Sequence, residues 1–233
     1  MKIVIISNGP GLPEVVEKYG HSSSWIPSII NNQHNINFVV KKVYNNELLS
    51  IDDGDIWIVT GSKYSVYENY EWINYLKKFV KKLVDHNKYV LGICFGHQMI
   101  AEACGGKVVK NKLGWELGSY PITLTESGTK SPLFNNFYNN DIVYESHQDT
   151  VIKLPENFVE LAYTQKSNQS FSYKNRIFGV QFHPEFSYDV TRKLMDLRIA
   201  NGIKVDNEIL SKSINSHHIV NNFVNIAKKG EQI

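Results

Sequence analysis

Four apolar runs mark the first hundred residues: "KIVIIS" (2–7), "INFVVKKVY" (36–44), "DIWIVTG" (55–61) and "KYVLGIC" (88–94). Each is continuous rather than alternating, the pattern of a strand covered on both faces, as in a parallel sheet. Between the third and fourth runs, "YENYEWINYLKKFVKKLVDHN" sets Trp72, Leu76, Phe79, Val80 and Leu83 at helical spacing, which predicts a βαβ unit. From about residue 106 to 183 the pattern breaks into short strand-like pieces separated by turn residues ("GKVVKN", "GSYPITLT", "DIVYES", "FVELAYT", "QSFSY", "RIFGVQFH"), with no long helical period. Such pieces predict antiparallel hairpins joined to the parallel sheet. "YDVTRKLMDLRIANG" and "DNEILSKSINSHHIVNNFVNIAKKG" regain helical periodicity and close on glycine, so both are expected as outer helices. No internal repeat is visible. The expected fold is α/β, a central mostly parallel sheet flanked by helices with an antiparallel extension, in a single domain spanning residues 1–233.

Composition narrows the partners rather than the fold. With 25 Lys and Arg against 23 Asp and Glu, a net charge of +2, and basic residues scattered in pairs such as Lys41-Lys42, nothing suggests a nucleic-acid footprint. No segment approaches the roughly 20 apolar residues that cross a bilayer, and "MKIVIIS" is too short for a signal peptide before "NGPGLP" interrupts it. No membrane association is expected. Two cysteines cannot build a disulfide framework, so a reducing compartment, the cytoplasm, is the expected location. The Asn-rich patches "NNQHNIN" and "NNFYNN" read as surface loops.

The chemistry concentrates at "LGICFGHQ". A strand ends at Cys94 and a helix begins at about Gly96, with Gly92 and Gly96 two positions to either side. A strand-to-helix turn that holds its central side chain in a strained conformation needs little bulk at those flanks. The helix N-terminus favours thiolate over thiol, and the Phe95 amide is placed to donate to an oxyanion. Free cysteine is also among the most buried residue types, so G-x-C-x-G by itself leaves structural and nucleophilic roles open. A thiolate needs a base. Of eight histidines, His183 in "RIFGVQFHPEF" ends an apolar strand and has Glu185 two positions on to orient it and stabilise its imidazolium.

"GICFGHQ" together with "GVQFHPEF" resembles the class I, triad-type glutamine amidotransferases, over the chain from "KIVIIS" to about Phe186. The resemblance implies a flavodoxin-like sheet, catalytic residues Cys94, His183 and Glu185, and hydrolysis of the glutamine side-chain amide through a γ-glutamyl thioester with release of ammonia. It also implies an oxyanion site formed by the amides of Phe95 and Gly61, a substrate contact at Gln98, and a loop, "YESHQDTV", whose Ser146, His147 and Asp149 hold the α-amino and carboxylate ends of glutamine. An exposed helical residue is the alternative for Gln98, a plain turn glycine for Gly61, and a general base or metal ligand for His147. No cofactor and no metal is implied. Cys104 reads as packing, and His217 and His218 as surface or core-edge residues.

The loop "TGSKYSVYE" departs from the glycine- and proline-rich version common in subunits that feed synthases, and with "LGWELGSYPI" and "SPLF" it resembles a stand-alone branch similar to the glutaminase domain of GMP synthase. No synthetase segment or pyrophosphatase loop follows the motifs, so GMP synthesis itself is not expected. Two readings of one chemistry remain: a glutaminase passing ammonia to a synthase partner, and an independent hydrolase of γ-glutamyl peptides. A non-catalytic binding or regulatory protein would predict a lost member of the triad, and a papain-like protease conflicts with the parallel-sheet setting of Cys94.

Overall fold

Ile3 and Ile5 point to one side of the first strand and Val4 and Ile6 to the other, and all four are fully buried. A strand apolar on both faces belongs inside a sheet covered on both sides, and the computed structural model, which describes residues 1–31 and 35–230, has that architecture. The strands are β1 (Lys2–Ser7), β2 (Asn37–Lys42), β3 (Ile56–Val59), β4 (Tyr89–Ile93), β5 (Lys107–Lys110), β6 (Glu116–Pro121), β7 (Thr123–Leu124), β8 (Ile142–His147), β9 (Asp149–Lys153), β10 (Val159–Tyr163), β11 (Asn168–Tyr173) and β12 (Ile177–Val180). The helices are α1 (Pro13–Tyr19), α2 (Ser22–Ile29), α3 (Glu71–Asp85), α4 (Phe95–Ala103), α5 (Glu126–Lys130), α6 (Tyr188–Ala200) and α7 (His218–Gly230).

The main sheet runs β2-β1-β3-β4-β12-β11-β10-β7. Its first five strands are parallel and the last three antiparallel, so the mixed sheet expected from the pattern is present. Two antiparallel ribbons, β5 with β9 and β6 with β8, lie outside it. On one face, Ile3, Ile5, Ile58, Leu91 and Ile93 pack with Ile26 of α2 and Phe223 and Val224 of α7. On the other, Val4, Ile6, Trp57 and Val59 pack with Leu76, Phe79, Val80 and Leu83 of α3 and with Phe95 and Met99 of α4. The βαβ unit read from the periodicity is thus β3-α3-β4.

Four sequence expectations change. The helices α1 and α2 carry weak signals, a seven-residue span opened by Pro13 and a Ser-rich span interrupted by Pro27, and were not anticipated. "YESHQDTV" is not a loop: β8 runs through His147 and β9 starts at Asp149, each paired in its own ribbon. The C-terminal helix starts only at His218. Residues 206–217 form an irregular strap instead, because their polar groups bind the β6–β8 ribbon: Ser213 Oγ donates to the Ile142 carbonyl at 2.6 Å, the Ser213 amide to Tyr144 Oη at 3.0 Å and the Ser211 amide to Ser119 Oγ at 2.9 Å. Finally, His183 lies beyond β12, which stops at Val180. Of the Asn-rich patches, residues 135–140 form an exposed turn around buried Phe137, while residues 32–34 of the first lie outside the described residues. Among the described residues no helix is long and apolar enough to cross a membrane.

Candidate active site

The carboxyl ends of β3, β4 and β12 converge, the place where open α/β sheets bind ligands. Cys94 follows β4 and caps α4 with φ 52° and ψ −104°, a conformation that costs a non-glycine residue on the order of 1–3 kcal/mol and persists only where its surroundings enforce it. They do so here. The Cys94 amide donates to the Val180 carbonyl at 2.9 Å and the Cys94 carbonyl accepts from the Gln98 amide at 3.1 Å. A Cβ on Gly92 would lie 2.4 Å from the Gly96 carbonyl, and one on Gly96 would lie 2.0 Å from the Val59 carbonyl. The two glycines let the turn fold onto itself and dock on β3.

His183 stands against this turn. Its Nδ1 is 2.8 Å from Glu185 Oε1, its ring stacks on Phe186 with centroids 3.8 Å apart, and it lies close enough to Cys94 for the two to interact electrostatically. Burial works against the imidazolium, but Glu185 and then Cys94 outweigh it and raise the His183 pKa to about 10. The imidazole therefore carries a proton at neutral pH. Gly61, at the end of β3, has no room for a side chain: a Cβ there would meet His183 Cε1 at 2.9 Å and Cys94 Cβ at 3.6 Å. Close backbone approach, rather than turn conformation, is what this position requires.

A cleft of about 120 Å³ opens over these groups. Gly61, Cys94, Ser146, His183 and Glu185 line it, together with Gly9 to Leu12, Trp25 and, from α6, Leu194 and Arg198. Gln98 and His147 do not line it. Gln98 is 3% exposed, so it is not an exposed helical residue, and its Nε2 donates to the Asp149 carbonyl at 3.1 Å and to Gln181 Oε1 at 3.0 Å. His147 is buried between two carboxylates, Nε2 lying 3.1 Å from Glu145 Oε2 and 3.3 Å from Glu116 Oε2 while Nδ1 meets the Asp149 carbonyl at 3.0 Å. The Asp149 carboxylate is held by Ser65 Oγ at 2.5 Å and Tyr67 Oη at 2.9 Å, away from the cleft. The spacing of residues along the chain conceals the His147 cluster, since Glu116 reaches His147 only through the β6–β8 register, in which the two are directly paired.

Within that cluster, burial works against the charged His147, yet Glu116 and Glu145 keep its pKa well above the ordinary value. Glu116 stays below the ordinary carboxylate range despite burial, helped by His147 and by the hydroxyls of Ser167 and Thr164. Glu145, buried and without those hydroxyls, is pushed up to about 7. Cys104 is half-buried at the end of α4, its thiol raised to about 11 by burial, and His217 and His218 sit at the surface and its edge. Among site residues that the sequence reading missed, Arg198 had a weak signal, as an arginine in the last turn of a helix that follows the His-Pro-Glu motif. Glu145 had none beyond adjacency to Ser146.

A covered parallel sheet with a thiol in a strained strand-to-helix turn and an imidazole–carboxylate pair from the neighbouring strand end defines an α/β protein of the nucleophile-elbow class. Comparison with known proteins narrows the class: the profile of "Glutamine amidotransferase class-I" matches residues 21–196, and the chain belongs to that family. It is 36% identical over 152 residues to gamma-glutamyl peptidase 4 of Arabidopsis thaliana, a match spanning 63% of this chain and 59% of that protein. It is 30% identical over 224 residues to a glutamine amidotransferase-like protein of Schizosaccharomyces pombe, spanning 88% of this chain and 87% of the other. In fold it is similar to the crystal structure of a glutamine amidotransferase from Thermotoga maritima, with a TM-score of 0.73 at 20% identity over 98% of this chain and 96% of that one.

Proposed function

We propose that the chain is a thiol-dependent amidohydrolase that cleaves the γ-amide of glutamine, with Cys94, His183 and Glu185 as its catalytic residues. The observation that carries this reading is the position of His183, which stands beside Cys94 at Gly61 and is held by Glu185 Oε1 at 2.8 Å. In this mechanism the Cys94 thiolate attacks the amide carbon, and the oxyanion that forms is met by the amides of Phe95, at the start of α4, and Gly61. The amides of a first helical turn have no partners within the helix and are available for this. The His183 imidazolium gives its proton to the departing nitrogen as the C–N bond breaks, leaving a γ-glutamyl thioester and ammonia. His183, now neutral, takes a proton from water; the resulting hydroxide opens the thioester to glutamate, and the Cys94 sulfur leaves as thiolate. A free thiol of this kind suits a reducing compartment, which supports a cytoplasmic location.

A second reading keeps the thioester and changes the leaving group, an amino acid or peptide amine in place of ammonia. Its support is the relative named gamma-glutamyl peptidase and the apolar wall of the cleft, built by Leu12, Val15, Val16 and Trp25, which ammonia would not need. A synthase that takes up the ammonia belongs to the first reading only.

The test is release of ammonia and glutamate from glutamine, measured beside amine release from γ-glutamyl peptides, for the parent chain and Cys94→Ala. The expected outcome is turnover that falls at least about 10³-fold in the variant, as for removal of a nucleophile. Turnover unchanged in Cys94→Ala refutes the assignment. A kcat/KM higher for γ-glutamyl peptides than for glutamine selects the second reading, and stimulation of glutamine turnover by a docked synthase selects the first.

A further inference from the structure

The chain has three arginines, and two have acceptors. Arg176 donates to the Asn87 carbonyl, and Arg192 donates to the Glu208 carbonyl and pairs with Asp196 at 3.8 Å. Arg198 has neither a hydrogen-bond acceptor nor an ion-pair partner among the described residues, and its Nε is buried without one. It projects from the last turn of α6 into the wall of the Cys94 cleft, with its guanidinium over the Trp115 ring at 4.9 Å. Desolvation lowers its pKa, against the pull of Cys94, but a guanidinium remains charged in proteins.

A partly desolvated cation without an ion-pair partner is costly to keep, and no carboxylate of the cleft wall pairs with it among the described residues. Glu185, a carboxylate of that wall, is already engaged by His183. Of the other cations there, the His183 imidazolium is held by Glu185 and Lys63 is exposed. Of the residues read from sequence as holding the charged ends of a substrate, Ser146 lines the cleft, whereas the His147 side chain is enclosed by Glu116 and Glu145 and the Asp149 carboxylate is bound by Ser65 and Tyr67, so neither of these two side chains presents a cation to the cleft. A guanidinium seated over an indole keeps its planar fork of N–H donors for a planar anion that accepts two parallel N–H groups, and a carboxylate fits that geometry.

We propose that Arg198 is the specificity-determining residue of the cleft and binds a carboxylate of the substrate while Cys94 engages its γ-amide. This rests on the amidohydrolase reading for the identity of the substrate. The carboxylate has two sources, the α-carboxylate of the γ-glutamyl group or the terminal carboxylate of the amine that leaves, and substrate analogues separate them.

The experiment compares the parent chain with Arg198→Met, which keeps the packing on Trp115, and Arg198→Lys, which keeps the charge and loses the fork. Turnover is measured on glutamine, glutamine α-amide, γ-glutamylglycine and γ-glutamylglycinamide. Calorimetric binding of the same compounds is measured in a Cys94→Ala background, and thermal melts establish that each variant is folded. The expected result is a KM and a dissociation constant raised on the order of 10- to 100-fold in Arg198→Met, the loss of a charged hydrogen-bonded pair, with kcat within about 3-fold of the parent by the same reasoning and a smaller loss in Arg198→Lys. If the loss is seen with glutamine and γ-glutamylglycine but not with glutamine α-amide, the α-carboxylate is the ligand. If it is confined to γ-glutamylglycine, the leaving-side carboxylate is. Equal binding of every compound by parent and Arg198→Met overturns the proposal. So does a fall in kcat and in the rate of Cys94 alkylation at constant KM, which would make Arg198 a thiolate-stabilising group. A parent chain that binds these carboxylates through Arg198 but hydrolyses none of them refutes the amidohydrolase reading and leaves the Arg198 proposal standing.

Discussion

Cys94 has a positive φ without being glycine or asparagine, and no local preference of cysteine explains it. What holds the strained thiol in place is contact between backbones, with Gly92 against Gly96 and Gly96 against Val59. The sequence shows the two glycines but not the surface that makes them necessary. His183 and Glu185 are legible as a pair because they stand two residues apart, whereas the meeting of His183 with Cys94 depends on β12 lying beside β4. Glu185→Gln tests the pair. Loss of the carboxylate removes the leading influence that raises the His183 pKa and leaves burial to lower it, so hydrolysis is expected to fall on the order of 10²–10⁴-fold. The stability term has a definite sign. A histidine whose folded pKa is about 10 against an ordinary 6.5 contributes fully below pH 6.5 and loses that contribution as pH rises through 10. Melting curves should therefore show the deficit of Glu185→Gln at pH 6.5 narrowing toward pH 10.

At the scale of elements, the β6–β8 ribbon carries buried charge where its sequence suggested substrate contacts. Glu116 and His147 are paired across the ribbon, Glu145 is two residues before His147 on the same face, and Ser146 between them points to the cleft. The alternation of a strand separates their roles, and reading "YESHQDTV" as a loop hid that alternation. Glu145, whose pKa of about 7 stands above the ordinary 4.5, keeps a proton in the folded state that the unfolded chain releases, so its contribution to stability falls as pH rises from 4.5 to 7. His147 adds a loss of the same sign above pH 6.5, and Glu116, held low, adds one of opposite sign in acid. Glu145→Gln, which does not ionise, is expected to flatten the decline in melting temperature between pH 4.5 and 7, as read by a pH series of thermal melts.

Over the whole molecule, the last helix closes a core laid down by the first strands. Phe223 and Val224 of α7 pack in the cluster that contains Ile3 and Ile5 of β1, and Asn221 ties α7 to the end of α2, accepting from the Asn31 amide at 2.7 Å and donating to the Ile29 carbonyl at 2.8 Å. With its two ends interlocked, the chain is expected to unfold as one cooperative unit, giving a single calorimetric transition. Phe223→Ala should lower the midpoint of that transition by roughly 6–20 °C, the effect of about 3–5 kcal/mol lost from a core of this size, without splitting it in two. A second transition would divide the single domain expected for residues 1–233.

By itself the sequence determined the elements with a strong period and the chemistry written in short motifs: the doubly covered strands, the helix between Glu71 and Asp85, the elbow around Cys94 and the pair His183 and Glu185. These depend on neighbours a few residues apart, and local spacing records them. Only the tertiary structure decided that residues 206–217 run as a strap, that Gln98 and His147 are enclosed in buried polar networks, and that Arg198 stands in the wall of the Cys94 cleft without an ion-pair partner among the described residues. Each of those outcomes depends on a partner brought close by strand order or helix docking, and distance along the chain carries no record of it.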